Sequence, residues 1–238
     1  MNKRLFISCL VFLCIGFVPA NAQTQAFKDA LRRAYITGKA EDQYKVATLY
    51  NELQGDGNPF SGFLVWCSKA ARQGYIPAAL WLGECYFNGM AFQGGRFYRD
   101  YSTALHYYKI AANQGDAKAC YFTGRIFRSG GYGVEQDFNQ AFQWMKLGAD
   151  RGYTDAMNEL SYLYALGKGV AKSMINAHKC IDRALSINPN DVNYIDTKGE
   201  LYLMEGDRVN ARKMYDRCIQ LNKNWGNQRT ALYRGLFE

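Results

Sequence analysis

The sequence predicts an all-α fold, a solenoid of paired antiparallel helices. Three observations carry this. First, Gln-Gly or Arg-Gly closes a helix-like segment at Gly74, Gly115 and Gly152, and Gly38, Asn188 and Asn222 hold the same place in theirs. Second, these positions are spaced by 36, 41, 37, 36 and 34 residues, and a period of about 20–50 residues marks stacked repeats. Third, a small residue recurs nine residues after the turn, inside the next apolar helix pattern, as Ala47, Gly83, Gly124 and Ser161.

Each unit reads as two helices. The first follows A-x-x-x-L-G-x-x-Y, as in Ala78, Leu82, Gly83 and Tyr86. It returns as Ala119 to Phe127 and as Ala156 to Tyr164, with a weaker copy over Asp42 to Tyr50. A glycine inside a helix costs about 1 kcal/mol relative to alanine. Its recurrence at one position implies that the second helix approaches closely there. The Tyr or Phe three residues on is expected to fill the space beside it.

The link between helices is clearest at Gly131-Tyr132-Gly133-Val134 with Asp137, and at Gly167-Lys168-Gly169-Val170. Glycine past a helix end supplies a left-handed cap. Asp before the next helix accepts from its free N–H groups. The second helix follows A-x-x-W-x-x-K-A-A-x-Q-G, with small and aromatic residues on one helical face. Trp66, Ala70, Ala71; Ala104, Tyr107, Ala111; and Ala141, Trp144, Ala149 fall on it, and its aromatics are expected in the core.

Residues 1–22 read as a signal peptide. Lys3 and Arg4 precede an uncharged apolar run from Leu5 to Val18, and Ala20-Asn21-Ala22 offers a small-x-small cleavage site. Fourteen apolar residues are few for a bilayer span. Export to the periplasm or beyond follows, with no membrane span after cleavage. Residues 23–238 then carry 27 basic and 21 acidic residues, a net charge of +6. The charges are scattered, so nothing marks a nucleic-acid patch. Five cysteines remain, Cys67, Cys85, Cys120, Cys180 and Cys218. The number is odd and no C-x-x-C occurs, which argues against a redox pair or zinc ribbon. Cys85 and Cys120 read as buried thiols; a Cys180–Cys218 disulfide stays open.

The recurring motifs closely resemble the Sel-1-like repeat, a branch of the tetratricopeptide-repeat superfamily, over about Ala26 to Asn222. The resemblance implies a right-handed superhelix of about a dozen helices. Residues 23–39 form an N-terminal capping helix, with Ala30, Arg33 and Ala34 in second-helix places. Residues 40–192 form four Sel-1-like units. Residues 193–224, with Gly199, Ala211 and Tyr215, look like an ordinary tetratricopeptide unit, and 225–238 a closing helix. A secreted, cysteine-rich branch of these repeats is linked to β-lactams, but its paired cysteines are missing here. Ala112 stands where Cys120 would need its partner.

No catalytic, cofactor-binding or metal-binding motif is present, and His106 and His178 lie two units apart. The chain therefore reads as a non-enzyme without cofactor or metal. In this superfamily the first helices line the concave face. The matching positions are Tyr44, Thr48, Asn51; Leu80, Glu84, Phe87; Tyr121, Arg125, Arg128; Asn158, Tyr162, Ala165; and Asp196, Glu200, Leu203. Tyr44, Phe87, Tyr121 and Tyr162 are expected to stack on an extended peptide. Arg125 and Arg128 are expected to hold its acidic part, with Asp196 and Glu200 making the far end acidic. The insert Met90 to Tyr98 carries Phe92, Phe97 and Tyr98, which either pack back or meet a partner. The leading reading is an exported adaptor or regulatory scaffold that binds another protein or peptide. A binder of cell-wall peptide or glycan is the alternative, and a β-lactam-interacting hydrolase a more distant one.

Overall fold

A computed structural model of the chain describes residues 25–52, 59–92 and 95–222. The leader expected at 1–22 and the closing helix expected at 225–238 lie outside the described residues, as do the side chains of Asn51 and Phe92. Among the described residues there are eleven helices. They are α1 (Gln25–Thr37), α2 (Ala40–Glu52), α3 (Pro59–Arg72), α4 (Ile76–Asn88), α5 (Tyr101–Ala112), α6 (Ala117–Ser129), α7 (Phe138–Asp150), α8 (Thr154–Leu166), α9 (Met174–Ile187), α10 (Val192–Met204) and α11 (Arg208–Leu221). A short antiparallel hairpin, β1 (Ala91–Phe92) and β2 (Gly95–Arg96), sits between α4 and α5. The fold is the all-α, helical-repeat class expected. Helices α2 and α3, α4 and α5, α8 and α9, and α10 and α11 pack as pairs, and α1 packs on α2.

The chain forms two compact units by its internal contacts. Unit 1 runs to Ala119 and includes Gly131–Val134; unit 2 comprises Cys120–Gly130 and the chain from Glu135.

In both units the helical glycines mark places where the paired helix comes close. A Cβ on Gly83 would stand 2.7 Å from the Tyr108 ring, one on Gly199 2.9 Å from Tyr215, and one on Gly124 3.0 Å from Met145. The space is thus filled from the second helix, four residues after its small residue, and not by the Tyr or Phe three residues on. Tyr86 instead packs its ring 4.8 Å from Phe97, and Tyr164 packs 5.3 Å from Phe142. Where the small residue is Ala47 or Ser161, the matching second-helix places hold Cys67 and Ile181. Bulk on one helix is exchanged for bulk on the other, as dense packing requires.

The Gln-Gly phrase also has a physical cause. Gly38, Gly74, Gly115 and Gly152 all have positive φ, from 63° to 100°. In unit 1, Gln73 donates from Nε2 to the Gly38 carbonyl at 3.0 Å, and Gln114 to the Gly74 carbonyl at 2.7 Å. Each glutamine thereby satisfies a carbonyl left open at the turn of the preceding repeat. Asn188 and Asn222 do not reproduce that turn: their φ values are −122° and −146°. The expected caps are present. The carboxylate of Asp137 accepts from the N–H groups of Asn139 and Gln140, and Gly167 ends α8 in the left-handed region.

Trp66 is buried beneath Lys69, whose Nζ lies 4.3 Å above its ring. Tyr107 and Trp144, expected in the core, are only half-buried. The five cysteines among the described residues are free thiols, so Cys180 and Cys218 form no disulfide. Burial pushes the Cys85 thiol up to about 12 and Cys180 up to about 11.

The insert packs back through one aromatic. Phe97 is buried, with its ring 4.9 Å from Phe60 and 4.8 Å from Tyr86. Gly95 lies so close to the Phe60 ring that a Cβ would overlap it. Tyr98, next in the chain, is 76% exposed.

Candidate interaction faces on the first helices

In unit 1 the first-helix residues form an aromatic cluster. Tyr44 on α2 lies 5.2 Å from Tyr75 and 6.0 Å from Trp81. Burial pushes its phenol up to about 12. Glu84 on α4 pairs with Lys118. The Thr48 hydroxyl donates to the Lys45 carbonyl, and Leu80 is half-buried. Phe87 departs from its expected role. Its ring stacks on Tyr101 at 5.1 Å and the residue is 8% exposed. The apolar side chain gains more from the core than from water, so Phe87 presents no face to a peptide.

Unit 2 carries a continuous polar lane. Tyr121 on α6 is buried at 9% exposure, tilted against Tyr153 at 5.1 Å. The Arg125 guanidinium lies 5.5 Å from the Tyr121 ring and 5.7 Å from Phe122, a cation–π arrangement that keeps the charge near the surface. One turn on, Arg128 pairs through Nη1 with Glu159 Oε2 on α8 at 3.0 Å. The charge of Arg128 is thus matched within the protein.

On α8, Tyr162 donates its hydroxyl to Glu200 Oε2 on α10 at 2.5 Å and lies 3.2 Å from Thr197 Oγ1. Burial and the Glu200 carboxylate both raise its pKa, so it stays a phenol. Tyr194 on α10 donates to Asp155 Oδ1 on α8 at 2.6 Å. Asn158 and Leu203 are half-buried, while Ala165 is 1% exposed and packs as core. Asp196, expected to charge the far end, is buried at 8% exposure. Glu200 is the partly exposed acid there.

Sequence reasoning missed Glu159 and Thr197. Glu159 follows the assigned position Asn158 by one residue, on the shoulder of the helical stripe. A long carboxylate on that shoulder facing an Arg one repeat earlier was the available signal. The arrangement orders donors and acceptors along α6, α8 and α10.

His106 is exposed, and His178 pairs with Glu205 in unit 2 at 2.8 Å. Among the described residues no group of three metal-ligating side chains gathers, and no helix is long and apolar enough to cross a membrane. A crevice of about 210 Å³ opens between α7, α8 and α9, with the Lys146–Asp150 ion pair, Leu160, Tyr164, Cys180 and Arg183 on its walls.

Paired helices, a small residue facing a large one, and glycine turns at the repeat junctions define a helical-repeat protein. The family model for the Sel1 repeat matches residues 64–75, 76–116, 117–153 and 154–186, and the chain belongs to that family. The match begins within α3 and ends within α9, so α10 and α11 lie beyond it. Among curated relatives, the chitin synthase regulator SKT5 of Saccharomyces cerevisiae is 34% identical over 117 residues, 49% of this chain and 16% of that protein. Cytochrome c oxidase assembly factor 7A of Xenopus laevis is 26% identical over 158 residues, 63% of this chain and 65% of that one. The chain thus spans less than two thirds of both. The crystal structure of c5321, a protective antigen of uropathogenic Escherichia coli, covers 82% of this chain and 40% of its own with a TM-score of 0.67 at 24% identity, a likeness of fold.

Proposed function

We propose that this chain is an exported interaction scaffold that holds a segment of another protein on the α6–α8–α10 face of unit 2. The observation that supports it is the lane of Arg125, Arg128, Glu159, Tyr162 and Glu200, where side chains from three successive first helices are ordered by one another. Ordered side chains lose little entropy on binding, which favours recognition. Arg125, held over the Tyr121 and Phe122 rings, is the arginine we assign to an acidic group of the partner, by a charge-assisted bond. The apolar leader at residues 1–22 supports export. The family is one of repeat scaffolds, and the names of the two relatives, a regulator and an assembly factor, fit an adaptor role. The reading involves no catalytic step, cofactor or metal.

The test is affinity capture from envelope extract with residues 23–238 as bait, followed by titration of the recovered protein. Arg125→Glu is expected to weaken binding by about tenfold or more, the range of a lost charged contact, with unchanged circular dichroism. Equal affinity for both baits refutes the assigned face. Saturable binding of a muropeptide, with no protein recovered, replaces the reading with that of a wall-fragment binder.

A further inference from the structure

We propose that the link edge of unit 2 docks on an anionic lipid surface. Within unit 2 the pairs α8/α9 and α10/α11 turn over at residues 167–173 and 205–207. The two turns lie side by side, because His178 near the start of α9 bonds Glu205 at the end of α10 through Nε2···Oε2 at 2.8 Å. At the opposite edge Arg217, late in α11, donates to the Pro189 carbonyl ahead of α10 at 2.8 Å.

Four aliphatic side chains stand out from the link edge. Leu166 ends α8, Ile175 opens α9, Met204 ends α10 and Val209 opens α11, at 49%, 72%, 48% and 68% exposure. They are equivalent positions of successive repeats. Leu166 and Met204 each lie five residues after the small residue of a first helix, Ser161 or Gly199. Ile175 and Val209 each lie two residues before the small residue of a second helix, Ala177 or Ala211. Repeat packing does not demand apolar groups there, since the preceding repeat places Ser129 and Asn139 at those positions. Scattered surface aliphatics are ordinary; four at matched places on one edge are a patch.

The charge around the patch identifies its occupant. Residues 166–179 and 202–213 carry six basic side chains, Lys168, Lys172, Lys179, Arg208, Arg212 and Lys213, against two carboxylates. All six are exposed. Both acids are engaged: Glu205 pairs with His178, and Asp207 caps α11 by accepting from Asn210 N–H. Aliphatic tips ringed by Lys and Arg match a bilayer, where the tips enter the acyl boundary and long cationic side chains reach the headgroups. Aromatic anchors, which dominate protein interfaces, do not stand out from this edge; Tyr202 lies under the His178 ring at 5.0 Å. The patch is independent of the α6–α8–α10 face.

Residues 23–238, which contain every described helix, are sedimented with phosphatidylcholine vesicles, with and without about one third phosphatidylglycerol. Binding to the anionic vesicles is expected, falling as salt rises from about 0.05 to 0.5 M. Ile175→Asp with Val209→Asp should lower the partition coefficient by about tenfold or more, since each side chain forfeits its apolar transfer. Lys168→Glu, Lys172→Glu and Arg208→Glu together should remove the preference for phosphatidylglycerol. Circular dichroism should not change in either variant, as all five residues are exposed. The proposal is overturned by absence of binding to anionic vesicles, or by equal binding of the variants. It is also overturned if sedimentation velocity shows a dimer that Ile175→Asp with Val209→Asp dissociates, which makes the patch a contact between copies.

Discussion

Replacing Gly83 by alanine tests whether the repeat's small residue exists for close helix approach. The new Cβ would lie 2.7, 2.8 and 3.0 Å from three atoms of the Tyr108 ring. Carbon atoms rest about 3.5–4.0 Å apart, so the ring must retreat by about 1 Å. Tyr108 is fully buried, with Phe87 at 6.4 Å between ring centroids, so it has little space to enter. Overpacking of this degree costs about 3 kcal/mol, and alanine regains about 1 kcal/mol of helix propensity. The expected net loss is about 2 kcal/mol, read as the shift of the urea unfolding curve in far-UV circular dichroism. The natural pairing of Ser161 with Ile181 in the fourth repeat suggests the remedy. In a Tyr108→Ile background the clash is gone, and Gly83→Ala should stabilise by about 1 kcal/mol. The double-mutant cycle should then show a coupling of about 3 kcal/mol. Effects that add within about 0.5 kcal/mol, or a Gly83→Ala chain more stable than the natural one, would refute the reasoning.

Other predictions follow the same contacts. Gln114→Ala removes the bond to the Gly74 carbonyl and should cost about 1 kcal/mol; an unchanged urea midpoint would deny that the Gln-Gly phrase fastens one repeat to the next. Asp100 caps α5, and the hydrogen bond from the Thr103 hydroxyl holds its carboxyl below the usual range. Its stabilisation, about 1 kcal/mol, is therefore complete above the ordinary carboxylate pKa and lost as pH falls through the lowered one. The thermal-stability gap between the natural chain and Asp100→Ala should be full at neutral pH and close in acid; a gap that persists there contradicts the capping role. Phe97→Ala should cost about 3–5 kcal/mol, whereas Tyr98→Ala should stay within about 0.5 kcal/mol. Equal thermal shifts for the two would show that the hairpin does not pack through Phe97.

The repeat was legible because its signals are local. The left-handed turn needs Gly74 and Gly115 whatever surrounds them, and the cap of α7 needs Asp137 where it stands. The close approach at Gly83, Gly124 and Gly199 was legible as a requirement, since a helical glycine must be compensated. Its partner was not, because Tyr108, Met145 and Tyr215 lie on another helix and their direction depends on how the pair crosses. The face residues were legible only as positions. Helical spacing put Arg125 and Arg128 on one stripe, but that the Arg128 charge is already matched depends on Glu159 one repeat away. Phe87 and Asp196 show the same gap in the other direction, since spacing assigned both to an open face and packing buried both.

By itself, then, the sequence determined the fold class, the repeat register, the glycine turns and the helix caps, all fixed by backbone geometry within a few residues. Tertiary structure alone decided which groups remain for a partner. It closed Tyr162 onto Glu200, neutralised Arg128, folded Phe97 into the core, left Tyr98 in solvent, and set Leu166, Ile175, Met204 and Val209 along one edge. Exposure and pairing are properties of surfaces that come from distant parts of the chain, and periodicity along one helix carries no information about what faces it.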